Sequence, residues 1–344
     1  MRVHPAPSLV KVGRRLSFGP LALLLPPLPS PPIVQPSTLR TFRLRHTHTN
    51  AMDIPLLELR DGNKIPLLAF GTGTAWFKEV GDTAFNQGLV DLIKTAIQKG
   101  FYHLDCAEMY GTEEEVGIAI KESGVRRDKL FITNKVAQGI DDIPAAMEQS
   151  LQKLQTDYFD LYLIHIPFFA KSDEDFQRAW KSMEELKILG KARSIGVSNY
   201  LRPHLEATLK GATIPPALNQ IEYHAYLQRG NNYMDWMREN GIQVGSFKGL
   251  TPAFRAPPDA PLNEPLARIA KAHGTTEAAV LISWIMKNKV VAVTTTTKAE
   301  RFDEYAQALG VNLTDDEARE ITDIGQSYHF RTSWGEYFED DDLS

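Results

Sequence analysis

A single cysteine, Cys106, is present in 344 residues, which excludes an internal disulfide framework and any Cys-rich zinc module and fits a reducing compartment. No uninterrupted apolar run approaches the roughly 18 residues that a membrane-spanning helix needs. The best stretch, residues 21 to 29, is broken by prolines. Excess positive charge is also missing: the net charge is −5, so no whole-molecule basic field exists for nucleic acid or an anionic membrane. A Gly-rich dinucleotide fingerprint is absent too, because Gly71-Thr72-Gly73 is a lone GxG, a weak signal by itself. The remainder, 43% hydrophobic and 24% charged, is the composition expected of a soluble globular protein with one large domain or two modest ones.

Acidic residues are missing from one region altogether. Residues 1 to 52 hold seven Lys or Arg and no Asp or Glu, leaving 31 bases against 43 acids in the rest. Nine of the 21 prolines also precede residue 50, a density that prevents a long helix and a packed core. Residues 1–51 are therefore expected to be a disordered, basic, Pro-rich leader. Its Arg-rich, acid-free composition resembles a mitochondrial transit peptide, although the prolines weaken the amphipathic helix such peptides use. The competing reading is a non-functional extension ahead of a cytoplasmic protein. The folded domain is expected to span 52–344.

After Met52 the chain alternates regularly. "LLELRDGNKIPLL" reads as a hairpin turning at Asp61-Gly62-Asn63, since Gly and Asn tolerate the positive φ of tight turns. "EEEVGIAIKES" reads as a helix, and in "IPAAMEQSLQKL" Ile143, Met147, Ser150, Leu151 and Leu154 recur at helical spacing. A later helix carrying Phe176, Ala179, Trp180, Met183 and Leu186 is predicted to stop at Gly190. "YFDLYLIH" is almost continuously apolar, as in a strand buried on both faces. With "LLAFGTG", "FYHLDC", "KLFITNKV", "ARSIGVS", "PALNQIEY", "IQVGSF" and "VVAVTTT" it makes eight strands separated by helix-length intervals. That count points to an α/β fold, a (β/α)8 TIM barrel with an N-terminal β-hairpin.

Asp105, Lys135 and His165 lie thirty residues apart, about one strand-plus-helix unit, each at the C-terminal end of its strand. All three are expected at the barrel mouth, within reach of Tyr110 from the following loop. Three readings of "HLDCAEMYG" compete. His103 and Asp105 alternate to one strand face and could be metal ligands with Glu108 or His165, but the other strand ends offer Lys135, Ser198, Asn199 and Gln220, poor or non-ligands. The residues could also be satisfied polar groups at strand ends. In the proton-transfer reading Tyr110 is the acid, Lys135 supplies an ammonium that lowers its pKa, and Asp105 keeps that ammonium charged. His165 then orients a carbonyl. No side chain here is a redox centre, so a cofactor would have to carry the electrons.

"IPLLAFGTGT", "LDCAEMYGTEEEVG", "ITNKV", "LYLIHIP", "SIGVSNY" and "NQIEYH" resemble, in order, the signature stretches of the aldo-keto reductase family. The resemblance implies NADPH-dependent reduction of a small-molecule carbonyl, with no metal, nucleic acid or membrane involved and a monomeric enzyme. It implies Tyr110 as proton donor with Asp105, Lys135 and His165 completing the tetrad. Asp105, Ser198, Asn199 and Gln220 would lie at the nicotinamide, with Phe247 stacked on its ring. Thr74, Lys248, Leu250, Thr296, Lys298 and Arg301 would be further cofactor contacts, Arg301 at the adenosine 2′-phosphate. Where the family commonly has Pro-Lys-Ser, this chain has Thr295 in the lysine position, which leaves NADH as a weaker alternative. "GTGTAWFK", "GSFKGL" and "TTTTKAER" resemble a fungal branch that includes α-keto amide, conjugated polyketone and ketopantoyl lactone reductases. Trp76, Phe77, Phe168, Phe169 and Trp334 are candidates for the substrate pocket beside Tyr110 and His165, with the C-terminal loop over the mouth. The other reading that stays open is an NADPH-binding regulatory or redox-sensing subunit with little turnover.

Overall fold

The computed structural model of the chain describes residues 52–79, 81–338 and 342–343. The expectation for the basic leader lies outside the described residues. A hairpin comes first, β1 (Leu56–Glu58) antiparallel to β2 (Lys64–Pro66), with Leu57 opposite Ile65. Gly62 in its turn has a φ of +80°, a conformation glycine adopts without a Cβ penalty.

Eight strands follow: β3 (Leu68–Gly71), β4 (His103–Asp105), β5 (Phe131–Val136), β6 (Phe159–Ile164), β7 (Ala192–Ser198), β8 (Leu218–Glu222), β9 (Gln243–Phe247) and β10 (Val290–Thr294). Each is parallel to its neighbour, and β10 returns to β3 with Ala292 opposite Leu68, closing the barrel. Between successive strands lie α1 (Gln87–Gln98), α2 (Glu113–Ser123), α3 (Ile143–Leu154), α4 (Asp173–Ile188), α5 (Arg202–Gly211) and α6 (Tyr233–Glu239). The interval from β9 to β10 holds three helices rather than one: α7 (Thr251–Phe254), α8 (Asn263–His273) and α9 (Glu277–Lys287). Two more, α10 (Arg301–Ala306) and α11 (Asp315–Gln326), follow β10. The apolar stripes read from sequence on α3 and α4 are buried against the sheet, and Gly190 takes the left-handed conformation that ends α4.

Strand alternation divides the interior in two. Leu161 and Leu163 join Phe131, Leu218 and Val291 in a cluster that the hairpin residues Leu59 and Ile65 complete. Tyr162 and Ile164, one residue out of phase, pack in the larger core with the helices. Further along the same inward rows lie Lys135 on β5, four residues beyond Phe131, and His165 after β6 and Gln220 on β8, each two residues beyond Leu163 and Leu218. The pleat thus stacks polar groups above an apolar plug, at the C-terminal ends of the strands.

The C-terminal segment is fastened to this face by Glu222 at the end of β8. Its carboxylate accepts from the Thr332 and Ser333 amides, each at 2.9 Å, and from the Thr332 hydroxyl. Among the described residues no helix is long and apolar enough to cross a membrane.

Candidate active site

Lys135 is fully buried. Its Nζ donates to Asp105 Oδ1 at 2.5 Å, to the Cys106 carbonyl at 2.9 Å and to Tyr110 Oη at 3.4 Å. The other Asp105 oxygen accepts from Gln220 Nε2 at 2.7 Å, so both lone-pair faces of the carboxylate are engaged. Burial alone pulls the lysine pKa down, but the charge and hydrogen bond of Asp105, together with Tyr110, more than offset it and the pKa is raised above the ordinary value. The ammonium therefore persists in the core.

Tyr110 differs from the sequence-based expectation. The Lys135 charge does draw its pKa down, but burial pushes it up more strongly and Asp105 adds to that push, so the phenol is a weaker acid than usual. It therefore keeps its proton at neutral pH. His165 meets the phenol ring edge-on, centroids 5.4 Å apart. Burial, reinforced by Lys135, holds the imidazole well below its usual pKa, so it is neutral. Its Nδ1 is buried without a hydrogen-bond partner.

Local structure seats the tyrosine. Residues Glu108–Tyr110 form one 3-10 turn ended by left-handed Gly111, and the Glu108 carboxylate accepts from the Ala137 and Gly139 amides. Gly73 lies against the other ring face: a Cβ there would sit 2.7 Å from Tyr110 Cζ. Gly73→Ala is expected to push the phenol out of place and lower kcat by about 10²-fold, the scale of a 1 Å misplacement. Steady-state kinetics beside an unchanged far-UV spectrum would show it, and wild-type kcat would contradict it.

His103, offered in the metal reading, belongs to the barrel layer below. Its ring nitrogens lie 3.1 Å from the Pro66 carbonyl and 2.9 Å from Thr133 Oγ1, and burial pulls its pKa down to about 4. Among the described residues no group of three or more His, Cys, Asp or Glu is placed to hold a metal ion. Burial pushes the Cys106 thiol up to about 12, so it stays protonated at neutral pH.

Two connected hollows share Thr74, Tyr110, Gln220, Phe247 and Lys248. The first, about 490 Å³, opens on His165, Ser198, Asn199, Phe77 and Trp334. Ser198 Oγ donates to the Gln220 carbonyl at 2.7 Å, and Asn199 Nδ2 to the His165 carbonyl at 2.9 Å. Trp334 Nε1 donates to Asn199 Oδ1 at 3.0 Å, tying the C-terminal segment to the strand ends. Three expected pocket aromatics lie outside this lining. The Trp76 indole donates to the Thr296 carbonyl, Phe169 packs edge-on against core Phe176, and Phe168 stacks on Tyr337 behind Trp334. Aromatic composition cannot tell a wall from its buttress.

The second hollow, about 460 Å³, is a groove that also holds Asp105, Leu250, Thr296, Lys298 and Arg301. Sequence reading missed Phe254, Arg255 and Tyr305 in its lining, because α7 (four residues) and α10 (six residues) are too short to show a period that would place them. The hydroxyls of Thr251 and Thr295, both in the lining, are buried without partners. Cations and unsatisfied donors along one trough suit an elongated, phosphate-bearing ligand.

Comparison with known proteins agrees with this geometry. Residues 68–326 match the sequence profile of the Aldo/keto reductase family. The chain is 40% identical over 275 residues to a protein of Schizosaccharomyces pombe named NAD/NADP-dependent indole-3-acetaldehyde reductase, covering 79% of this chain and 95% of that one. It is 36% identical over 293 residues to the NADPH-dependent alpha-keto amide reductase of Saccharomyces cerevisiae, covering 81% and 94%. A Bombyx mori aldo-keto reductase solved in complex with NADP superposes with a TM-score of 0.72 at 27% identity, covering 83% and 98%. By its barrel, its strand-end residues and a profile match over most of its length, the chain belongs to the aldo/keto reductase family.

Proposed function

We propose that this protein reduces an uncharged carbonyl compound to the alcohol, with NADPH as the hydride source and Tyr110 as the proton donor. The observation that carries this reading is the buried Lys135 ammonium held between Asp105 and the hydroxyl of Tyr110, which lines a hollow together with His165. When bound, the nicotinamide supplies a hydride to the carbonyl carbon. Tyr110 Oη hands its proton to the carbonyl oxygen, so that oxygen does not finish as a bare alkoxide. Lys135 stabilises the phenolate left behind, and Asp105, braced by Gln220, keeps that lysine charged. Neutral His165 orients the carbonyl by hydrogen bonding.

Phe247 would stack on the nicotinamide, and Ser198, Asn199 and Gln220 would hold its carboxamide by hydrogen bonds. Thr74, Lys248, Leu250, Thr296, Lys298 and Arg301 line the groove for the rest of the dinucleotide. The neutral Thr295 in place of a lysine admits NADH as a weaker alternative, and the Schizosaccharomyces pombe relative is named for both cofactors. The names of the two fungal relatives favour aldehydes and α-keto amides as substrates.

The test is NADPH oxidation against aldehydes, α-keto amides, diketones and cyclic ketones, with binding measured in parallel. Tight NADPH binding without turnover of any of them would favour a regulatory, NADPH-sensing role and overturn the enzyme reading.

The pKa directions also fix a pH profile. A proton donor must be protonated, so reduction is lost on the alkaline side, and Tyr110 is shifted upward. His165 is shifted down and stays neutral. For reduction, kcat/KM is expected to be flat through the ordinary imidazole value of about 6.5 and to fall only above about 10. An inflection near the imidazole value would contradict a neutral His165.

A further inference from the structure

Four cations, Lys248, Arg255, Lys298 and Arg301, line the groove beside the candidate active site. Its one carboxylate, Asp105, is already bonded to Lys135 and Gln220. Among the described residues none of the four cations forms an ion pair. Lys248 is pulled below its usual pKa by burial and then by the Arg255 charge, with the Glu222 carboxylate opposing both, so these two like charges act on each other. Such a cluster of like charges repels itself, and it gains when an anion arrives.

The four charges are not equivalent. Lys248 also faces the hollow with Tyr110 and His165, whereas Arg255, Lys298 and Arg301 line only the groove and so mark its far end. Arg255 follows α7 directly, next to Phe254, whose ring lies 4.6 Å from the Arg301 guanidinium carbon. Phe254 and Arg301 therefore meet from two segments, one after β9 and one after β10, and Arg255 lines the same groove beside them. In the same lining Thr295 presents a buried, unpartnered hydroxyl, which is neutral where a charge would strengthen phosphate binding.

We propose that Arg255 binds the 2′-phosphate of NADPH and is a principal determinant of its preference over NADH, compensating for the absence of a cation at Thr295. This inference rests on the dinucleotide reading of the groove. A phosphate monoester carries close to two negative charges near neutral pH. A guanidinium fork matches its oxygens bidentately. The pyrophosphate, common to both cofactors, is left to the donors nearer the nicotinamide end.

The experiment titrates wild type, Arg255→Ala and Arg255→Gln with NADPH, NADH, 2′-AMP and 5′-AMP, following tryptophan fluorescence. Arg255 is exposed, so neither variant disturbs the core, and melting curves check that. The expected result is a loss of about tenfold or more for NADPH and 2′-AMP, the scale of a charged hydrogen bond, with NADH and 5′-AMP little changed. Equal losses for NADPH and NADH, or no loss for NADPH, would overturn the assignment. If wild type binds NADPH tightly and the variants bind it equally well, Arg255 alone is wrong. If wild type binds neither dinucleotide, the cofactor reading falls with it.

Discussion

Tyr110→Phe is expected to lower turnover by about 10³-fold, the middle of the range for a positioned general acid. NADPH affinity should stay within about twofold, since a group acting only in the transition state leaves ground-state binding alone. The substitution removes one hydroxyl whose hydrogen-bond partner is Lys135 at 3.4 Å. The ring keeps its edge contacts with His165 and Phe77, and Lys135 keeps Asp105 and the Cys106 carbonyl. A fall in kcat with unaltered melting temperature and unaltered NADPH titration is therefore the signature of a lost proton donor. Retention of more than about a tenth of wild-type turnover would be too much for that role and would move the acid elsewhere, with His165 the next group to test.

The parts of this site that were legible in sequence are those fixed by strand periodicity. A residue two positions along an inward row stays inward, so Asp105, Lys135 and His165 followed from three strands at one spacing, and the barrel from counting eight of them. The helices α3 and α4 were legible for the same reason, their stripes being long enough to show a period. Chemistry set by the balance of opposing effects was not legible. The sign of the Tyr110 shift depends on how deeply the ring is buried, and burial overcame the lysine that the motif advertises. Gln220 was read as a cofactor contact, yet it also braces Asp105 across 115 residues of chain, a pairing no local pattern encodes. Phe168, Phe169 and Trp76 show the same limit. Their types fit a pocket wall, but loop geometry turned each toward a different neighbour. Arg255 and Phe254 were missed because a four-residue helix has no period to read.

The largest effect on stability is expected from Lys135→Met. Lys135 and Asp105 are nearly inaccessible, with 0% and 3% of their side chains exposed. Removing the lysine leaves a buried carboxylate with only Gln220 for support, a defect that costs roughly 3–5 kcal/mol. The sign with pH follows. A buried carboxylate without its counter-ion is relieved by taking up a proton, so the variant's deficit against wild type is expected to shrink as pH falls. Thermal melts at two pH values would show this, and a deficit independent of pH would contradict it. Activity should be lost independently of stability, because the phenolate formed at Tyr110 no longer has an ammonium beside it. The double variant Lys135→Met with Asp105→Asn separates the two effects. Asn carries no charge and its side-chain carbonyl can still accept from Gln220 Nε2, so much of the lost stability should return. Turnover should not return, since neutralising Asp105 restores no positive charge at the Tyr110 hydroxyl. Recovery of both together would mean that Lys135 serves only to hold the fold, and the electrostatic role assigned to it would have to be abandoned.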